Sequence, residues 1–337
     1  MAVLKASNPT LLDLAKRQDP DGKIAGIVEM LNETNEVLDD MVWVEGNLPT
    51  GNRTTIRSGL PAPTWRKLYG GVQPNKSTTV QVTDNVGNLE AYAEIDKDLA
   101  DLNGGSAMWR LSEEMSFIEG LSQEMAATLF YGNEDTAPEE FTGLGPRFND
   151  ISGPENADNI IDAGGTNTDN NTIWLVVWGE NTCHGIIPKG SIAGLQVTDK
   201  GLVTLEDASD GSNTGRMEAY RTHYQWKAGL TVRDWRYIVR IANIDKSLLA
   251  PAHASGADLP DLMFQAMRLI PNLNSGRPAF YMSRDVATMV ARQVAVDGAS
   301  SFLTSETNAG DIRWTERFHG IPIRRCDALS ADEARVT

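Results

Sequence analysis

The side chains best suited to chemistry are two cysteines, four histidines and a few groups of carboxylates, and none has the spacing that a catalytic or metal site needs. Cys183 beside His184 invites a nucleophile and its base. Neighbours on an extended segment project to opposite faces, however, so thiol and imidazole would not meet. His223, His253 and His319 stand apart from one another and from any cysteine, which removes a zinc-ligand spacing. Asp207, Asp210, Gly211 and Asn213 approach a calcium loop but lack the closing Glu at its offset, and read as a solvated turn. Glu113, Glu114, Glu119 and Glu124 fall at helical spacing with no histidine among them, the pattern of a solvated helix face. Gly143-Leu-Gly-Pro146 and Gly164-Gly165 have no strand-then-helix context for holding phosphate. The residues therefore indicate no catalytic group, no cofactor site and no metal site.

The elements that would have to position such groups are more telling. From Gly104 to Gly132 the apolar residues Met108, Leu111, Met115, Ile118, Met125 and Leu129 follow the spacing of one helix face, with Ser106 as the N-cap and Gly132 as a left-handed C-cap. Such a helix is on the order of 40 Å long and acts as a spine. Before it, residues 1–45 read as two helices, Pro9–Arg17 and Gly22–Met41. The second carries Ile24, Ile27, Val28, Leu31 and Leu38 on one face and Glu29, Glu33, Glu36, Asp39 and Asp40 on the other. Residues 46–95 are punctuated by Gly and Pro. Their β-prone runs, at 53–57, 78–83 and 89–95, lack the apolar set for a core and suit an extended hairpin that is ordered by lying on something else.

Beyond the spine, 133–172 is loop-rich and Ile173–Trp178 is a buried strand. A β-rich block follows in two runs, Met217–Trp226 and Gly229–Ile244. The second interleaves Trp235 and Tyr237 with Arg233, Arg236 and Arg240, as single-stranded nucleic-acid binders do. In a chain of net charge −16 these arginines are instead expected to pair with acids where copies meet. A helix at 258–269, a strand at 278–282, a helix at 284–296 capped by Ser283, a loop over 297–311, a strand near 318–326 and a polar tail complete an α+β chain.

At 337 residues the chain has room for two domains, and no run has the apolar length to span a bilayer. Its N-terminus lacks a secretory signal, and the expectation is a soluble intracellular protein with Cys183 and Cys326 as core thiols. The net charge of −16 opposes a large basic nucleic-acid surface. That charge is unevenly spread. From Gly46 to Thr83 there is no Asp or Glu, while Arg53, Arg57, Arg66, Lys67 and Lys76 give +5 and leave −21 for the rest. A basic arm on an acidic body invites the arm of one copy onto the body of another.

This order of elements resembles the HK97-like major capsid proteins of tailed bacteriophages. Trp178–Gly190, Tyr224–Tyr237 and Gly320-Ile-Pro-Ile-Arg-Arg325 look more narrowly like the short-tailed phages of the epsilon15 and Bordetella phage BPP-1 type. The resemblance implies an α+β HK97-like fold with an N-terminal arm at 1–45, an E-loop hairpin at 46–100, a spine helix of the peripheral domain at 101–140, and peripheral strands with an axial domain at 141–337. It implies a non-enzymatic virion protein, assembled in the bacterial cytoplasm into pentamers and hexamers of an icosahedral shell around double-stranded DNA. It also implies a separate scaffolding protein and a portal as partners, a decoration protein as an optional one, and no membrane. Arg53, Arg57, Arg66, Lys67 and Lys76 are then expected to meet Glu29, Glu33, Glu36, Glu113 and Glu114 of neighbouring copies, closing the shell without covalent links. An encapsulin-like compartment protein and, more distantly, an acidic α+β hydrolase or binding module are the alternatives.

Overall fold

The computed structural model describes residues 35–102, 106–207, 215–251, 256–296, 303–307, 314–329 and 332–337. The expected helices before residue 35, His253 and most of the calcium-like turn lie outside the described residues, as do the side chains at the start of the spine, Ser106 among them. In chain order the strands are β1 (Trp43–Glu45), β2 (Gly51–Gly59), β3 (Thr78–Asp96), β4 (Ile160–Asp162), β5 (Asn170–Trp178), β6 (Cys183–Ile187), β7 (Gln196–Asp207), β8 (Gly215–Val232), β9 (Ile238–Asp245), β10 (Arg277–Met282), β11 (Leu303–Thr307), β12 (Trp314–Phe318) and β13 (Ile321–Arg325). The main helices are α1 (Ser106–Tyr131), α2 (Leu259–Leu269) and α3 (Arg284–Val296). The chain divides into two compact units, the larger holding 36–87, 127–193 and 228–337 and the smaller 88–126 and 194–227.

In the larger unit every residue of β5 is buried. An unbroken apolar run of this kind is what a strand covered on both faces requires. β5 pairs antiparallel with β10 on one side (Phe280 opposite Leu175) and with β9 on the other (Leu175 opposite Val239). β10 then pairs parallel with β13. Alternation sorts the side chains. Ile173, Leu175 and Val177 join Phe280 and Met282 in a cluster with Leu259, Met263 and Ala266 of α2 and Val286, Val290 and Val294 of α3. The opposite face is aromatic: Trp174 meets Phe130 and Phe148, and the Trp178 indole N–H donates to the Tyr281 hydroxyl at 2.7 Å. Asp258 caps α2 by accepting from the Asp261 N–H. Buried Gln293 of α3 accepts from the Leu259 N–H and donates to the Ala250 and Ala257 carbonyls, fixing where α2 begins.

In the smaller unit, β8 lies between β7 and β3. Ala93 and Tyr224 of this sheet pack on Leu121 of α1, with Leu89, Ala91, Phe117 and Leu195 around them.

Several expectations are corrected. The spine is covered through Phe117, Leu121 and Met125, while Leu111, Met115 and Ile118 are exposed, so the helix carries two apolar stripes about a quarter turn apart. Gly132 is not left-handed. Its N–H bonds the Thr128 carbonyl, and a Cβ there would stand 2.6 Å from the carbonyl oxygens of Thr128 and Phe141, so close approach is what demands glycine. The runs 78–83 and 89–95 are one 19-residue strand, because backbone pairing ignores the polar residues between them and Asp84 finds its own partner in Arg147. The run Gly229–Ile244 is broken by a 3-10 turn at Trp235–Tyr237, where the Asp234 carboxylate accepts from the Arg236 N–H. The supposed loop over 297–311 contains β11, paired antiparallel with β12. The C-terminal tail is not loose: Leu329, Glu333 and Val336 are buried.

Candidate assembly surface

β2 and β3 form an antiparallel hairpin, in register from Gly51 opposite Asn85 to Gly59 opposite Thr78. Its root is fixed by ions and amides. Buried Asp84 accepts from Arg147 at 2.8 Å, and the same Arg147 nitrogen reaches the Thr142 and Leu230 carbonyls. Asn47 exchanges two hydrogen bonds with the Arg53 backbone. Outward from the root, residues 60–76 are exposed except for a half-buried Gly70. Pro61, Pro63 and Pro74 withhold donors there, which stops the ladder from continuing.

All five expected cations lie on this hairpin and its connection. Arg53 and Arg57 are exposed on β2, the Arg53 Nε donating across the strands to Thr83 at 3.3 Å. Arg66, Lys67 and Lys76 are exposed in the connection. The acidic partners are differently placed. Glu29 and Glu33 lie outside the described residues. Glu36 accepts from Arg324 at 3.0 Å, and Asp40 takes the same guanidinium through two bonds. Burial pulls the Arg324 pKa down, but Asp40 and Glu36 outweigh it and hold it above the ordinary arginine value. Glu113 and Glu114 are half-buried on the spine, Glu114 accepting from the Thr222 hydroxyl at 2.7 Å.

The connection carries apolar residues that the charge pattern hid. Leu60, Trp65, Leu68 and Tyr69 are all exposed, Trp65 and Tyr69 completely. Their signal in the sequence was large side chains in a Pro/Gly-rich stretch with no alternating partner to bury them.

The chemical candidates of the sequence resolve into structure. Burial pushes the Cys183 thiol far up and the His184 imidazole down to about 4, the reverse of the thiolate and imidazolium that a dyad needs. Among the described residues no three His, Cys, Asp or Glu side chains gather as metal ligands. The His223 Nε2–H donates to the Glu90 carboxylate at 3.2 Å, and the ring stacks on Tyr92. Arg236 pairs with Asp234 of its own chain, correcting the expectation that these arginines wait for another copy. Arg240 does the same more deeply: its Nη2 donates to Glu333 at 2.7 Å, its Nη1 to the Phe148 carbonyl, and its guanidinium lies over Trp174.

The family model described as Major capsid protein GP7 matches residues 19–337. The chain belongs to that family. The capsid protein is also similar over the full length of both chains to a near-atomic cryo-EM structure of bacteriophage epsilon15, at 35% identity and a TM-score of 0.74. The bacteriophage JBD30 capsid is similar at 11% identity over 96% of each chain, with a TM-score of 0.45. The SrpI encapsulin of Synechococcus elongatus covers 70% of this capsid protein at 10% identity and a TM-score of 0.42. No curated protein matches. The fold is the HK97-like α+β capsid fold, and the protein is a structural subunit of a phage shell built from many copies.

Proposed function

We propose that this capsid protein closes its shell by laying the β2–β3 hairpin of one copy on a neighbouring copy, as subunits of pentamers and hexamers around double-stranded DNA. In this reading residues 1–45 are an N-terminal arm, 46–100 the E-loop, 101–140 the spine of the peripheral domain, and 141–337 the remaining peripheral and axial parts. A separate scaffolding protein, a portal and an optional decoration protein assist assembly in the host cytoplasm. The observation that carries the reading is the stretch from Gly46 to Thr83: it has no acidic residue and a charge of +5, its residues 60–76 are exposed apart from a half-buried Gly70, and the rest of the chain stands at −21. Many weak copies of such a contact let capsomers form reversibly, and ordering the arm afterwards adds area and avidity.

The test is the double variant Arg53→Glu with Arg57→Glu, followed by electron microscopy and sedimentation. Soluble capsomers that do not close into shells are the expected result. Shells of normal yield and diameter would remove the proposal.

A further inference from the structure

The smaller unit holds an open groove of about 360 Å³ between the spine and β3. Leu89 and Ala91 of β3 and Phe117, Gly120 and Leu121 of α1 form its walls, with Glu124 at its edge. It exists because the sheet and helix pack around a residue without a side chain: an added Cβ at Gly120 would meet nothing within 4 Å. An open apolar groove left in water is a surface built to be covered.

We infer that Trp65 of a second copy fills this groove, so that an aromatic anchor, and not the ion pairs alone, fixes where the hairpin lands. This rests on the hairpin reading above and specifies its receptor. Trp65 is a large side chain held completely in water, followed directly by Arg66 and Lys67, with Leu68 and Tyr69 beside it. The groove offers the complement, an apolar floor with a carboxylate at its edge. An indole buries 150–250 Å² at small entropic cost, and residues of this type in desolvated pockets dominate interface energies. Occupant and groove also match in charge: Arg66 and Lys67 follow Trp65, and Glu124 lines the groove. A second copy is therefore the occupant that satisfies both surfaces at once.

Disulfide trapping tests this. Cys183 and Cys326 are buried, so engineered thiols report alone. Thr64→Cys and Ser116→Cys chains, which keep Trp65 and Gly120, are prepared separately, mixed, assembled and oxidised. A crosslinked dimer on a non-reducing gel, present only when both variants share a shell, is the expected result. Trypsin cleavage after Arg66 and Lys67, compared between capsomers and shells, reports hairpin docking independently of the site. Protection in the shell without a crosslink means the hairpin docks elsewhere and overturns the groove assignment while the hairpin reading stands. Cleavage undiminished in closed shells overturns both. As a second variant, Trp65→Ala is expected to lower shell yield at least tenfold at a fixed subunit concentration, with capsomers still formed; unchanged yield counts against the anchor.

Discussion

At the scale of single residues, buried ions set the largest stability terms. Arg240 and Glu333 are both nearly inaccessible, and Glu333 also accepts from the Tyr131 hydroxyl at 2.7 Å and from Thr172. Removing one member strands a charge in low dielectric, so Arg240→Met or Glu333→Leu alone should each cost roughly 3–5 kcal/mol. The double variant should recover most of that loss, and urea unfolding of the four proteins gives the coupling directly. His184 supplies a pH dependence. Its pKa in the folded chain, about 4, lies below its ordinary 6.5, so the unfolded chain binds the extra proton. The contribution is complete above pH 6.5 and is lost as pH falls through 4. His184→Asn is expected to flatten the fall in melting temperature across that window, and an unchanged slope would assign it to other groups.

At the scale of elements, the hairpin is only as well directed as its root. Arg147 joins Asp84 of β3 to the Thr142 and Leu230 carbonyls, tying the strand to two other segments of the same unit. Arg147→Met should leave the Asp84 carboxylate buried and unpaired, lowering stability by roughly 3–5 kcal/mol and speeding amide exchange along β2 and the adjoining part of β3. Adding Asp84→Asn should return part of it. Hydrogen exchange confined to residues away from 47–87 would show that the root is not the weak point. The spine makes the complementary case: a helix normally hides one apolar face, and this one also leaves Leu111, Met115 and Ile118 exposed.

At the scale of the whole molecule, the charge division is the governing feature. Copies at net −16 repel one another over a distance that salt sets, about 30 Å at 0.01 M and 8 Å at 0.15 M. The acid-free 46–83 stretch, at +5, offsets that repulsion where it meets an acidic neighbour. This is why its two arginines are the substitutions proposed for the shell-closure test.

The sequence by itself determined the charge division, the lack of a catalytic or metal spacing, the buried β5 run, α2 and α3, all of which depend on composition and short-range periodicity; the family resemblance rested instead on the order of elements and on three short stretches. The tertiary structure decided which stripe of the spine is covered, because Leu111 and Phe117 are equally apolar and only the sheet packed against them distinguishes them. It also decided that Arg240 is satisfied from within, by a glutamate 93 positions along in a tail whose polar composition reads as solvent-facing. The groove at Gly120 was equally beyond the sequence. A glycine in a helix is locally only a weak point, and its meaning as a space comes from strands distant in the chain that stop short of filling it.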